Sequence, residues 1–158
     1  MLSSSLYDTL KSTAESFVLA SCFKAPAQGP DEQAIRDLCS NTYSQSWGHD
    51  YFISSRPHLN QTLDFDGFMA HLKSMTSKLE SAEAKITDLT IDEKQRKVVV
   101  RATYRLRPKG CDETASNDLV WILRLTEDGK KVTSGKEFID GEAAMRLAQL
   151  MRAASTTT

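Results

Sequence analysis

Asp118-Leu119-Val120-Trp121-Ile122-Leu123 is the stretch whose reading decides the fold. Side chains alternate across a strand, so Leu119, Trp121, Leu123 and Leu125 fall on one side and Val120 and Ile122 on the other. Both sides are apolar, which predicts a strand covered on two faces. Three further strand patterns surround it, over Ile86 to Ile91, Val98 to Arg107 and Val132 to Ile139, while its own pattern runs from Asn117 to Leu125. The second alternates cleanly, with Val98, Val100, Ala102, Tyr104 and Leu106 opposed to Val99, Arg101, Thr103, Arg105 and Arg107. The links are Asp92-Glu93-Lys94-Gln95, a polar loop holding Pro108, Gly110 and Cys111, and Glu127-Asp128-Gly129-Lys130, whose Asp-Gly pair favours a tight hairpin. Links this short imply an antiparallel meander.

Toward the N-terminus the period changes from two to 3.6. Leu6, Leu10, Ala14, Phe17 and Val18 trace one stripe of a helix that starts near Leu2 and ends before Pro26, Gly29 and Pro30. Pro30 suits the first turn of a second helix, with Asp31 and Glu32 at its positive end and Ala34, Ile35, Leu38 and Cys39 facing inward. Between Ser44 and Asn60 the periodicity fades into short strands or a loop. Thr62 is a plausible N-cap for a third helix reaching about Ser81, with Phe65, Phe68, Met69, Leu72, Met75, Thr76 and Leu79 on one face. Ala144, Leu147, Ala148 and Met151 predict a short final helix, and Ser155 to Thr158 are expected to fray.

Helices followed by a meander define an α+β chain, a single domain over residues 1–158 in which the helices cover a curved antiparallel sheet and close a cone-shaped cavity. The two-sided apolar strand at Leu119 to Leu125 further suggests a homodimer joined sheet to sheet.

Composition excludes several function classes. At 158 residues, 40% hydrophobic and 26% charged, the chain can bury a core and a cavity. A net charge of −1 with dispersed lysines and arginines argues against a nucleic-acid partner. The stretch Phe17 to Phe23 is too short to span a bilayer, so neither membrane insertion nor a secretion signal is expected. Cys22, Cys39 and Cys111 lack zinc-site spacing and disulfide density, which fits a reducing cytoplasm. His49, His58 and His71 have no paired spacing, so no metal site is expected, and no glycine-rich phosphate loop or Gly-x-Ser-x-Gly turn occurs.

The element order resembles the nuclear transport factor 2-like fold and, within it, the SnoaL-like cyclases and isomerases. The segments Ser55-Arg56-Pro57-His58-Leu59, Phe68-Met69-Ala70-His71-Leu72, Asn117-Asp118-Leu119-Val120-Trp121, Asp128-Gly129-Lys130-Lys131-Val132 and Glu137-Phe138-Ile139-Asp140 are similar in order and spacing to the small SnoaL-like proteins of fungal natural-product clusters, several of which are isomerases in meroterpenoid assembly. The resemblance implies a cofactor-free enzyme that moves protons on a polycyclic meroterpenoid or polyketide intermediate. Such chemistry needs a base, a donor for the carbonyl oxygen and a dry site. Ketosteroid isomerase, a worked example of pKa tuning in this fold, uses carboxyl groups in that way. The same fold also serves non-catalytic binding and interaction modules, and cyclases that only shape a reactive polyene.

Two residues are first candidates for proton transfer. Asp118, flanked by Leu119, Val120 and Trp121, is expected to have its carboxyl pushed up by desolvation, unless it lies exposed at the strand start and pairs with Arg101 or Arg105. His58, after the extended Arg56-Pro57, is suited to shuttling protons near neutrality, unless it is an exposed loop residue. Arg56 is a candidate anchor for a substrate carboxylate or carbonyl. Tyr51, Tyr104, Trp47 and Trp121 are candidates for cavity lining, although large aromatics also serve as core. His71 is held in reserve at the edge of its helix stripe. Glu137 shares a face with Gly135 and Ile139 and enters the cavity if that face is concave; Lys131 or Lys136 would neutralise it on the other side.

Overall fold

The computed structural model describes residues 4–156. In chain order the elements are α1 (Leu6–Leu19), α2 (Glu32–Leu38), β1 (Cys39–Gly48), α3 (Asp50–Ser54), α4 (Phe65–Thr76), β2 (Leu79–Asp92), β3 (Lys97–Pro108), β4 (Ala115–Leu125), β5 (Val132–Phe138) and α5 (Gly141–Ser155). The strands form one five-stranded sheet in the order β1-β5-β4-β3-β2. From β2 to β5 it is the expected antiparallel meander. Gly129 takes the positive φ of 73° that the tight turn into β5 requires.

The sheet is nevertheless mixed, because β1 joins its far side parallel to β5. Cys39, expected at the end of a helix, begins this strand, and the segment read as short strands or loop is its second half followed by α3. The strand is hard to read because its inward face, Tyr43, Gln45 and Trp47, carries a fully buried amide between two aromatics. That amide is satisfied locally, since the Tyr43 hydroxyl donates to Gln45 Oε1 at 2.5 Å.

Other boundaries shift for physical reasons. Ser5, Asp31, Asp64 and Asp140 cap α1, α2, α4 and α5 by accepting backbone N–H groups of the first turn, so Asp31 and Asp64 displace the expected Pro30 start and Thr62 cap. The third predicted helix stops at Thr76 rather than Ser81. From Leu79 the chain pairs with β3 along its length, and this ladder overrides the weak strand preference of Ser81-Ala82-Glu83-Ala84. Of the tail expected to fray, Ser155 still belongs to α5, and Thr157 and Thr158 lie outside the described residues.

The concave face of the sheet meets α1 and α4. Leu10, Ala14, Phe17 and Val18 pack with Phe68, Met69 and Leu72 over Val98, Val100, Leu119, Trp121 and Leu123. Phe17 meets the edge of Trp121 at 5.6 Å between ring centres and 88°. Along β4, Leu119, Trp121 and Leu123 are buried, whereas Val120 and Ile122 on the convex face are half-buried and Asp118 is exposed. The second face of this strand is therefore only partly covered within one chain.

Candidate active site

A cavity of about 150 Å³ lies between the concave face and helices α1, α4 and α5. Register builds its wall. Glu137 on β5 is paired with Trp47 on β1 and with Trp121 on β4, so one row of the sheet presents a carboxyl group between two indoles. Phe17, Phe68, Leu72, Met75, Leu119 and Leu147 supply apolar surface, and His71 and Tyr104 supply polar atoms.

Glu137 accepts a hydrogen bond from Trp47 Nε1 at 3.2 Å. The residue as a whole is half-buried. Because it lines the partly enclosed cavity, however, its carboxyl has little water to solvate it. Desolvation pushes the carboxyl up to about 7, against the smaller lowering effect of the indole bond. The same burial raises the Tyr104 hydroxyl far above its ordinary range, with Glu137 adding to the effect, so this hydroxyl stays protonated. It accepts from Trp121 Nε1 at 3.2 Å and reaches the Val18 carbonyl at a long 3.4 Å. His71, half-buried on α4, lies 4.8 Å from Trp47 between ring centres. Burial, and secondarily His58, lowers its pKa and favours the neutral imidazole.

The structure thus brings together five of the residues singled out in the sequence: Trp47, His71, Tyr104, Trp121 and Glu137. Arg56 and His58 lie in an adjoining concavity of about 350 Å³ that shares Ile139 and Ala144 with the cavity wall. The His58 ring stacks on His71 at 6.4 Å between centres and 18°. Asp118 and Tyr51 line a shallow groove on the convex side, with Tyr51 at 93% exposure. The expectation of a desolvated Asp118 is corrected. Its carboxylate receives Arg101 Nε at 3.0 and 3.1 Å and a terminal guanidinium nitrogen at 2.5 Å. The pair holds the Asp118 carboxyl below its ordinary value.

Sequence reasoning overlooked Asn117 and Ser21 as lining residues. Asn117 ties β4 to the start of α5 through the Asp140 backbone, donating to its carbonyl at 3.5 Å and accepting from its N–H at 3.3 Å. Its alternation with Leu119 and Trp121 was the available signal. Among the described residues, no three His, Cys, Asp or Glu side chains converge as a metal site. Nor is any helix among them long and apolar enough to cross a membrane.

No protein-family model and no curated sequence matches the chain. Solved structures do match it, and they show the fold, which is that of nuclear transport factor 2-like and SnoaL-like proteins. PrhC from Penicillium brasilianum superposes with a TM-score of 0.75 at 18% identity, over 96% of this chain and 93% of its own. The BvnE pinacolase from Penicillium brevicompactum gives 0.75 at 16% identity, over 96% and 99%. A Jannaschia protein described as a SnoaL-like polyketide cyclase gives 0.68 at 15%, over 92% and 94%.

Proposed function

We propose that this chain is a cofactor-independent isomerase or cyclase that moves protons on a cyclic carbonyl intermediate of fungal meroterpenoid or polyketide metabolism. The observation that carries the reading is the Glu137 carboxyl, set between Trp47 and Trp121 on the wall of an apolar cavity. A carboxyl that titrates near neutrality is populated in both forms, so it can serve as base in one step and acid in the next. As carboxylate, Glu137 takes a proton from carbon beside a carbonyl; the C–H electron pair moves into the new C=C bond and the carbonyl oxygen becomes an enolate. Tyr104, kept protonated and oriented by the Trp121 N–H, is the donor available to that oxygen, since its bond to Val18 is long and readily exchanged for a stronger acceptor. Return of the proton to a different carbon completes an isomerisation; in a ring closure the enolate carbon instead bonds to a second carbonyl carbon of the same substrate, the C=O electron pair moves to its oxygen, and that oxygen takes the proton back from Glu137.

His71 is a second proton carrier on the same wall, and His58, stacked on it from the exposed side, is suited to exchange with solvent. Asp118 has no part in this reading. The PrhC and BvnE likeness and the segment resemblance to small fungal SnoaL-like proteins support the substrate class. Convergent ionisable groups in the cavity favour catalysis over a purely binding module, for which apolar walls would suffice. The homodimer through the convex face and the cytoplasmic location belong to the same proposal. Sedimentation as a monomer at micromolar concentration would remove the dimer from it.

The test is genetic and chemical. Disruption of the gene in its source organism should accumulate an unrearranged intermediate, and the wild-type gene should restore the product. Glu137→Gln keeps the shape and the indole bond but cannot ionise, so it should restore little. Full restoration by Glu137→Gln would overturn the assignment.

A further inference from the structure

The concavity beside the cavity has a chemistry of its own. Its cations are Arg56 and Arg152, with His58 and Gln149 beside them, and no aspartate or glutamate lines it. Among the described residues Arg36, Arg96, Arg101, Arg107 and Arg146 each lie within ion-pair distance of a carboxylate, whereas Arg56, Arg105, Arg124 and Arg152 do not, and of these four Arg56 and Arg152 line one concavity together. Arg56 is held in place without being neutralised. Its guanidinium carbon stacks 3.9 Å from the centre of the Phe52 ring, and one terminal nitrogen donates to the Phe52 carbonyl at 2.9 Å and to Ser55 Oγ at 3.2 Å. A planar fork fixed in this way is prepared for a bidentate acceptor. Arg152, in the last turn of α5, would complement the helix dipole from any rotamer, yet it lines the same concavity as Arg56.

Size links this vestibule to the site. A cavity of about 150 Å³ takes about one six-membered ring. Any larger molecule that presents one ring to Glu137 must continue past Ile139 and Ala144, the residues common to both spaces, into the 350 Å³ beyond them. We propose that the vestibule binds an anionic group, carboxylate in class, of the molecule whose ring enters the cavity. The proposal rests on the cavity reading given above and adds that the substrate is acidic at the end remote from Glu137.

The test uses a matched pair of probes, 4-phenylbutyrate and its neutral amide, 4-phenylbutyramide. Trp47 and Trp121 are the chain's two tryptophans and both line the cavity, so tryptophan emission excited at about 295 nm reads ring entry for either probe. Wild-type protein should bind the acid about tenfold more tightly than the amide, a preference that weakens with added salt because the vestibule is open. Arg152→Gln and Arg56→Gln should each bring the ratio toward one while leaving amide affinity unchanged. Arg152 is exposed on its helix, so Arg152→Gln carries the test even if Arg56→Gln disturbs folding. Equal affinity of acid and amide in the wild type, or a preference that survives Arg152→Gln, would overturn the vestibule assignment and leave the cavity reading standing. If neither probe quenched the tryptophans, the cavity reading would fall and the vestibule with it.

Discussion

Glu137→Gln should make the protein more stable at alkaline pH and leave it unchanged in acid. The folded-state value of the Glu137 carboxyl, about 7, lies above its ordinary 4.5, so the folded protein holds this proton more tightly than the unfolded chain does. Stability from this group is therefore fully present below about pH 4.5, declines as pH rises, and reaches its lowest level above about 7. The interval between those values, at about 1.4 kcal/mol per unit, sets an upper limit of about 3 to 4 kcal/mol on the cost of ionising Glu137 in the folded state. Glutamine never ionises and still offers an oxygen to Trp47 Nε1. The variant should gain up to about 3 kcal/mol over wild type near pH 8, roughly 6–12 °C in melting midpoint for a chain of this length, about 1 kcal/mol near pH 5 and almost nothing near pH 3.5. Urea unfolding followed by far-ultraviolet circular dichroism across that range measures the difference directly. A wild-type-to-variant difference that is flat in pH would show that Glu137 ionises like a solvated carboxyl and would refute the reasoning.

Trp47→Phe removes the indole N–H that favours the Glu137 carboxylate, so the rising limb of kcat/KM against pH should move to higher pH with its plateau retained; an unmoved limb would separate Trp47 from the acid. Asp118→Asn breaks the exposed pair with Arg101, and both turnover and melting midpoint should stay near wild type, whereas loss of turnover would return Asp118 to the chemistry. Gly48→Ala would drive a methyl group into Cε1 of the Phe138 ring, so the denaturant midpoint should fall by the equivalent of about 1–3 kcal/mol; an unchanged midpoint would mean that β1 and β5 yield easily at this point.

Much of the architecture was legible because it rests on local periodicity. The 3.6-residue stripe of Leu10, Ala14, Phe17 and Val18 is the buried face of α1, and the clean alternation from Val98 to Leu106 is the inward face of β3. β1 escaped because Gln45 breaks its apolar alternation, and the amide is tolerable only once Tyr43 lies beside it in the fold. Its parallel partner β5 is also remote in sequence, with Trp47 opposite Glu137. No local signal reports a pairing of that range.

The candidate site divides along the same line. Sequence alone determined which residue types were present for proton transfer, a carboxylate at each of two strand positions and aromatics at the right parity. It put Asp118 ahead of Glu137, because β4 is apolar on both sides and parity names no inside. Only the tertiary structure located the two side chains: helices α1, α4 and α5 cover the face of Leu119 and Trp121, which sets Glu137 in the cavity wall, while Asp118 lies outside it, paired with Arg101. The physical reason is that a carboxyl's pKa is set by the water and charges around it, and those are assembled from β1, β4, α4 and α5 only when the chain has folded.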